Sequence, residues 1–255
     1  MLKNLLKENL IFKLNFLLIC LVPIFIVSPS LILNFSIILI SLIFLINLFN
    51  EGKYDILKNK FFILIIIFLI YLFLNLKNSI LVHESTPRTF GFIRFILFSF
   101  SIAHYLSFKN FEYSKIIFLV WTVFFFLISI DLLYEFTFGQ NFLGFSNQFP
   151  GRLSGVMGDE LKIGGYYRGF VLISIASIFC FTKKRNAIFA TLFFIFIAII
   201  IGERANLIKI TLGILLFFSF TNVINLKKKI ITLIISFFIF LTIFSINNDL
   251  KNRFF

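Results

Sequence analysis

Residues 30–49 read SLILNFSIILISLIFLINLF, a run of 20 positions without a charged side chain. An α-helix needs about 20 mostly apolar residues to cross the hydrocarbon core of a bilayer. Eight further apolar runs surround this one, at residues 12–28, 59–77, 89–107, 114–134, 161–181, 187–202, 204–221 and 230–246. The pattern predicts an all-α, polytopic transmembrane helical bundle of about nine spans, which forms a single transmembrane domain over residues 1–255.

The composition favours the same fold class. Apolar residues make up 60% of the chain and charged residues 14%, whereas soluble domains carry about 25% charged residues. The net charge of +13 is dispersed over short loops between the apolar runs, a distribution typical of membrane orientation and not of a nucleic-acid groove. We therefore expect no nucleic-acid partner. No metal-ligand spacing occurs, and we expect neither a metal nor a cofactor.

The distribution of lysine and arginine predicts the orientation in the membrane. Fourteen of the 24 cations lie in the odd-numbered loops, six in the even-numbered loops and four within helices. Cytoplasmic loops carry the excess of positive charge. The N-terminus is thus predicted to be cytoplasmic and, after nine spans, the C-terminus periplasmic, in a multi-pass protein of the bacterial inner membrane.

Arginines are concentrated on the predicted outer side. Of seven, only Arg185 is cytoplasmic; the others are Arg88, Arg94, Arg152, Arg168, Arg204 and Arg253. The planar guanidinium suits phosphate and carboxylate, so this asymmetry indicates an anion site at the outer face. Arg94, Arg168 and Arg204 lie near the outer start of inward-running helices, where an unpaired cation is costly. The structural alternatives are snorkelling of Arg94 and ion pairs with Asp131, Glu135, Asp159, Glu160 or Glu203.

Glycines mark a second feature of the same side. Eight of the twelve fall within residues 139–169, and residues 151–160, GRLSGVMGDE, form the least hydrophobic stretch of the chain. Glycine permits tight turns and close approach of the backbone to a ligand. We therefore predict a Gly-rich periplasmic loop over residues 135–160. The helix that follows it begins with N–H groups that favour an anion, unless Asp159 or Glu160 caps them.

Two short motifs resemble a known family. Arg152-Leu153-Ser154-Gly155 with Gly158-Asp159-Glu160, followed by a helix, resembles the central outer loop of the O-antigen ligase and O-antigen polymerase family. Gly202-Glu203-Arg204-Ala205-Asn206 resembles that family's second motif, a small residue and an arginine that open a helix. The spacing of one hairpin between them also fits. The resemblance covers residues 60–255 and is carried mostly by residues 150–208.

The resemblance implies a metal-independent membrane glycosyltransferase of lipopolysaccharide or surface-polysaccharide synthesis. Such proteins transfer a glycan from undecaprenyl diphosphate to a lipid A core sugar or to another carrier-linked glycan. It assigns the diphosphate to Arg152 and Arg204, whose guanidinium groups would stabilise the charge on the leaving group. From their positions we add Arg168 and Arg94. The expected supporting residues are Asp159, Glu160, Glu203, Gly155 and Gly158.

The sequence departs from the family in one respect. The family's proposed base is a histidine in a large outer loop after these helices, and neither His83 nor His104 matches its position. We expect no catalytic residue within the chain, the histidine being expected beyond Phe255, and hence carrier binding without turnover. The same residues do not distinguish an O-antigen ligase from an O-antigen polymerase. A polytopic transporter or a lipid-linked oligosaccharide flippase is the alternative, although we find no inverted repeat.

Overall fold

The computed structural model describes residues 10–51, 60–107, 111–146, 149–158, 162–221 and 225–246. Over these ranges the prediction of an all-α fold is confirmed, and every predicted apolar run is helical. The helices are α1 (Leu10–Cys20), α2 (Val22–Val27), α3 (Ser30–Glu51), α4 (Lys60–Asn75), α5 (Val82–Ser107), α6 (Phe111–Phe138), α7 (Ile163–Phe181), α8 (Lys184–Ile200), α9 (Arg204–Phe220) and α10 (Leu226–Ile246). Short 3-10 turns occupy Leu76–Asn78 and Gly155–Met157.

Membrane-spanning capacity is clearest for four of the described helical segments. By length and composition, Ser30–Asn50, Val82–Leu106, Tyr113–Phe138 and Ile163–Phe181 are able to cross a bilayer. The helices α4, α8 and α9 have 16 or 17 residues, close to the lower limit of about 17. The chain is therefore described as a helical membrane protein, while nine spans and the orientation of the termini stay predictions.

Helix boundaries differ from the predicted ones where proline and glycine intervene. The first run, residues 12–28, forms two helices with a turn at Leu21, because Pro23 has no N–H to donate to the preceding turn. The loop predicted over residues 135–160 begins at Gly139, since α6 continues through Phe138. Gly139 has φ +77° and its N–H donates to the Glu135 carbonyl at 2.8 Å, which is a left-handed glycine helix end.

The helices divide into two units. The first contains α1, α3, α4, α5 and the start of α6 through Ile117. Within it, α3 packs against α1 and α5, and Phe44, Leu48 and Phe100 form a buried cluster. Asn47 donates to the Tyr105 hydroxyl at 3.1 Å, so a buried polar group in this apolar unit has its partner.

The second unit contains α6 from Phe118 onward and α7 to α10. Helix α7 packs against α8 and α9, and α8 packs against α9 and α10. At its centre, the Phe125 ring lies 4.5 Å from the ring of Tyr167 and 4.9 Å from that of Phe194. The buried Tyr167 hydroxyl donates to the Phe194 carbonyl at 3.2 Å. This aromatic core fixes α6, α7 and α8, whose ends carry the candidate site.

Candidate functional site

A buried carboxylate at the end of α6 fixes the loop that carries Arg152. Glu135 is only 1% exposed. Its Oε1 accepts from the N–H of Ser154 at 2.9 Å and from the Ser154 hydroxyl at 3.0 Å, and its Oε2 accepts from the Gly155 N–H at 2.7 Å. Hydrogen bonds to an ionised acceptor are about twice as strong as neutral ones. The sequence suggested an arginine as partner, but the hydrogen bonds that Glu135 accepts come from this loop.

Two more polar side chains stabilise the same loop. Asn141 donates from Nδ2 to the Gly155 carbonyl at 2.6 Å, and its Oδ1 accepts from the N–H of Phe145 at 2.9 Å. Asp131 accepts from the Phe142 N–H at 2.9 Å. Because buried side chains bond to its backbone groups, the described part of the loop has a defined conformation.

The predicted supporting glycines Gly155 and Gly158 belong to this loop framework. They have φ +58° and +56°, a conformation that other residues rarely adopt. A Cβ on Gly155 would also lie 3.1 Å from Leu132 and 3.2 Å from Ile163. Their role in the structure is thus to shape the backbone that follows Arg152.

The two sequence motifs meet backbone to backbone. The Leu153 N–H donates to the Ile201 carbonyl at 3.2 Å. Next to it, Gly202 has φ +75°, and a Cβ at this position would overlap the carbonyl oxygen of Gly151. Only glycine permits this approach, so the turn before α9 and the loop before α7 are fixed against each other.

This approach brings Arg152 to the start of α9. Its Nη2 forms an ion pair with Oε1 of Glu203, and the two side chains are 20% and 12% exposed. The other carboxylate oxygen, Oε2, accepts a hydrogen bond from Nδ2 of Asn206. On the facing helix α7, Gly164 leaves the space that the carboxylate occupies, because a Cβ there would overlap Oε2. Glu203 is therefore enclosed by a cation, an amide and a glycine.

The ion pair borders an open hollow of about 500 Å³. Its lining residues are Arg152, Gly202, Glu203, Arg204 and Ala205. Of these described lining residues, two carry a guanidinium group and one carries a carboxylate. An α-helix also begins with N–H groups that have no acceptor within the helix, and its dipole is positive at this end. Both features attract an anion to the hollow.

The structure brings together three of the predicted site residues. Arg152, Glu203 and the exposed Arg204 line the hollow. Arg168 is exposed one turn after Gly164 on α7 and is not among the lining residues. Arg94 belongs to the first unit, where its Cζ lies 4.9 Å from the centroid of the Phe95 ring. For all four arginines, diphosphate binding stays a prediction.

Two further predicted residues, Asp159 and Glu160, lie outside the described residues. Three contributors were not among the predicted site residues: Gly164, Asn206 and Glu135. Asn206 follows Glu203 by three residues at a helix start, a spacing at which side chains interact, and this signal was available. A carboxylate that binds backbone N–H groups leaves no such trace, because every residue type except proline supplies the donor.

The chemistry of the hollow is that of arginine and carboxylate groups. Among the described residues, no three His, Cys, Asp or Glu side chains gather as a metal site requires. The arrangement is able to bind an anion, orient it by planar guanidinium groups and stabilise charge that develops on it. In comparisons with protein-family models, with curated proteins and with solved structures, no match to the chain was found.

Proposed function

We propose that the hollow between Arg152 and Arg204 binds the diphosphate of a polyprenyl-linked glycan. On this proposal, the protein is a membrane glycosyltransferase similar to O-antigen ligases and polymerases. Such proteins transfer a glycan from undecaprenyl diphosphate to a lipid A core sugar or to another carrier-linked glycan, at the periplasmic face of the inner membrane. The step proposed for the residues of this chain is binding of the carrier. The observation that carries the proposal is that two arginines distant in sequence line one open hollow.

Guanidinium chemistry supports a diphosphate as the anion. Arginine offers five N–H donors in a fixed fork and binds phosphate oxygens in pairs. A single oxygen of Glu203 accepts from Arg152, and this contact orients the guanidinium plane. When the bond between the sugar and the diphosphate breaks, negative charge grows on the leaving group. Fixed cations and helix N–H groups at that position stabilise it without rearrangement.

The membrane context supports a lipid-linked anion over a soluble one. The hollow lies at the start of α9, directly above an apolar helix face. Exposed side chains on that helix include Ile208, Leu212 and Leu216, which suits hydrocarbon surroundings. An anion attached to a lipid reaches this position by diffusion in the membrane plane.

The proposal is tested by replacing the two arginines. Full-length protein in detergent micelles is titrated with inorganic diphosphate, and binding is measured by calorimetry. Arg152→Ala and Arg204→Ala are each expected to weaken binding at least tenfold, because each removes one of two cations. In cells, the same variants are expected to lose binding of the lipid-linked glycan while the protein still inserts into the membrane.

Arg88→Ala is the matched control for the loss of one arginine. Arg88 lies in the first unit, is 80% exposed and pairs with Glu84 at 3.2 Å. This variant is expected to bind diphosphate as the parent protein does. Unchanged diphosphate binding in an Arg152→Ala, Arg204→Ala double variant would remove the basis of the proposal.

A further inference from the structure

A second cavity of the same unit is an apolar groove of about 450 Å³ between α8, α9 and α10. Its floor is buried, with Ile199, Leu207 and Ile214 at 2%, 8% and 1% exposure. Its rim is open, since Ile208 and Phe237 are 60% and 59% exposed. An apolar floor with an open rim accommodates a hydrocarbon chain that enters from the side.

The polar side chains that line the groove need no hydrogen-bond acceptor from a ligand. The Thr211 hydroxyl donates to the Leu207 carbonyl at 2.9 Å, and the Ser236 hydroxyl donates to the Thr232 carbonyl at 2.7 Å. Both donors are therefore satisfied within their own helices, and the groups facing the groove need no polar ligand. The groove is suited to methylene and methyl groups and not to a sugar or a nucleotide.

The groove continues from the cationic hollow along one helix. Arg204 and Ala205 line the hollow, and Leu207 to Leu215 of the same helix line the groove. At 1.5 Å per residue, the groove begins about 4.5 Å beyond Arg204 and extends for roughly 12 Å. One leaflet of a bilayer is about 15 Å of hydrocarbon. The cationic hollow thus suits the anionic headgroup of a lipid, and the apolar groove suits the first part of the lipid's hydrocarbon chain.

We propose that this groove binds the prenyl units nearest the diphosphate of the lipid whose headgroup lies in the hollow. The inference rests on the proposed function and adds a second subsite to it. The groove selects a lipid by its hydrocarbon chain, and the two arginines select it by the charge of its headgroup. A phospholipid also has an anionic head, but it carries a single phosphate charge. Two guanidinium groups beside a helix N-terminus favour the more highly charged diphosphate.

The test uses a polyprenyl diphosphate that carries a photoreactive diazirine in its first prenyl units. The full-length protein is reconstituted in vesicles of phosphatidylethanolamine and phosphatidylglycerol, irradiated and mapped by peptide mass spectrometry. Label is expected on the groove faces of α9 and α10. Thr211→Trp and Ser236→Trp, which fill the groove from opposite walls, are each expected to lower the labelling at least fivefold. Inorganic diphosphate binding is expected to stay unchanged in both.

Two controls separate filling of the groove from a general effect of substitution. Leu216→Trp adds the same ring to α9 at a 57% exposed residue that does not line the groove, and Thr211→Val keeps the size of the side chain. Both are expected to label as the parent protein does. Loss of labelling in Leu216→Trp equal to that in Thr211→Trp would overturn the inference.

The remaining outcomes distinguish this inference from the proposed function. If inorganic diphosphate fails to bind the parent protein, the proposed function fails. If it binds, but label appears outside the groove or is unchanged in both groove-filling variants, the inference alone fails. Equal groove labelling by a diazirine-bearing phosphatidylglycerol would assign the groove to ordinary lipid. Cysteine cross-links between copies through the groove would assign it to a second copy, and either result overturns the inference.

Discussion

The carboxylate of Glu203 lies directly against the Cα of Gly164, so α7 and the start of α9 approach each other without room for a side chain. A Cβ at Gly164 would overlap Oε2 of Glu203 and lie 2.9 Å from Nδ2 of Asn206. The neighbouring Gly165 has nothing within 4 Å of the same position. The close packing of the two helices therefore requires glycine at position 164, whereas the structure leaves room for a Cβ at Gly165.

Substitution of these two glycines by alanine is expected to change stability in opposite directions. Alanine favours a helix over glycine by about 1 kcal/mol, so Gly165→Ala is expected to raise the thermal midpoint of the purified protein. In Gly164→Ala, displacement of the carboxylate costs about 1–3 kcal/mol and outweighs that gain. Diphosphate binding is expected to weaken only in Gly164→Ala, because Arg152 moves with Glu203. Equal midpoints for the two variants would contradict the observed packing.

Gly202→Ala is expected to separate the two motifs. The substitution combines an unfavourable φ of +75° with overlap of the Gly151 carbonyl. Gly139→Ala is a close control, since its φ is +77° but nothing lies within 4 Å of its Cβ position. The control is expected to lose about 1 kcal/mol of unfolding free energy from backbone strain alone. The Gly202 variant is expected to lose clearly more, together with diphosphate binding. Chemical denaturation measures the unfolding free energy of both variants, and similar losses would argue against the close approach.

Glu135→Gln is expected to disrupt the loop before α7. One carboxylate oxygen becomes an amide NH₂ that faces an N–H donor of Ser154 or Gly155, so one buried donor has no acceptor. The expected loss is about 1–3 kcal/mol of unfolding free energy. Glu84→Gln removes an exposed carboxylate that pairs with Arg88 on the same helix, and its effect is expected to stay within about 0.5 kcal/mol. Proteolysis within residues 139–158 provides a second measurement, with faster cleavage expected only in Glu135→Gln.

Glu203→Gln is expected to strengthen anion binding while it weakens the fold. The substitution removes the negative charge that competes with a ligand for Arg152, so inorganic diphosphate is expected to bind several-fold more tightly. The neutral amide still accepts one hydrogen bond, but the charge-assisted contact is lost and the thermal midpoint falls. Calorimetric titration at two salt concentrations tests the electrostatic cause, because the gain must shrink as salt rises. Weaker binding at both concentrations would contradict it.

The sequence was sufficient for the helical fold because its apolar runs are long and seldom interrupted. The resemblance of its two short motifs to one family also implied that Arg152 and Arg204 belong to one site. The sequence offered Glu203 as an ion-pair partner for Arg94, Arg168 or Arg204, whereas in the structure Glu203 pairs with Arg152. In the structure, the pair and the open hollow occur together.

Other features of the site depend on which faces of the helices meet, and local sequence does not contain that information. Arg168 follows Gly164 by one turn, yet the glycine is packed and the arginine is exposed. Gly164 and Gly165 are chemically identical in the sequence and differ only in what lies opposite them. The predicted end of α6 was wrong because the helix boundary depends on the positive φ of Gly139. A glycine in the sequence permits this conformation but does not require it.

The hydrogen bond from Leu153 to the Ile201 carbonyl has a consequence for the energetics of recognition. Ordering a flexible segment on binding reduces affinity by the conformational entropy that is lost. Here the main chains of Leu153 and Ile201 are already connected without a ligand, so binding an anion at the hollow requires little ordering of these two segments. A preorganised receptor of this kind is expected to bind with little change in backbone hydrogen exchange at residues 151–154 and 201–203.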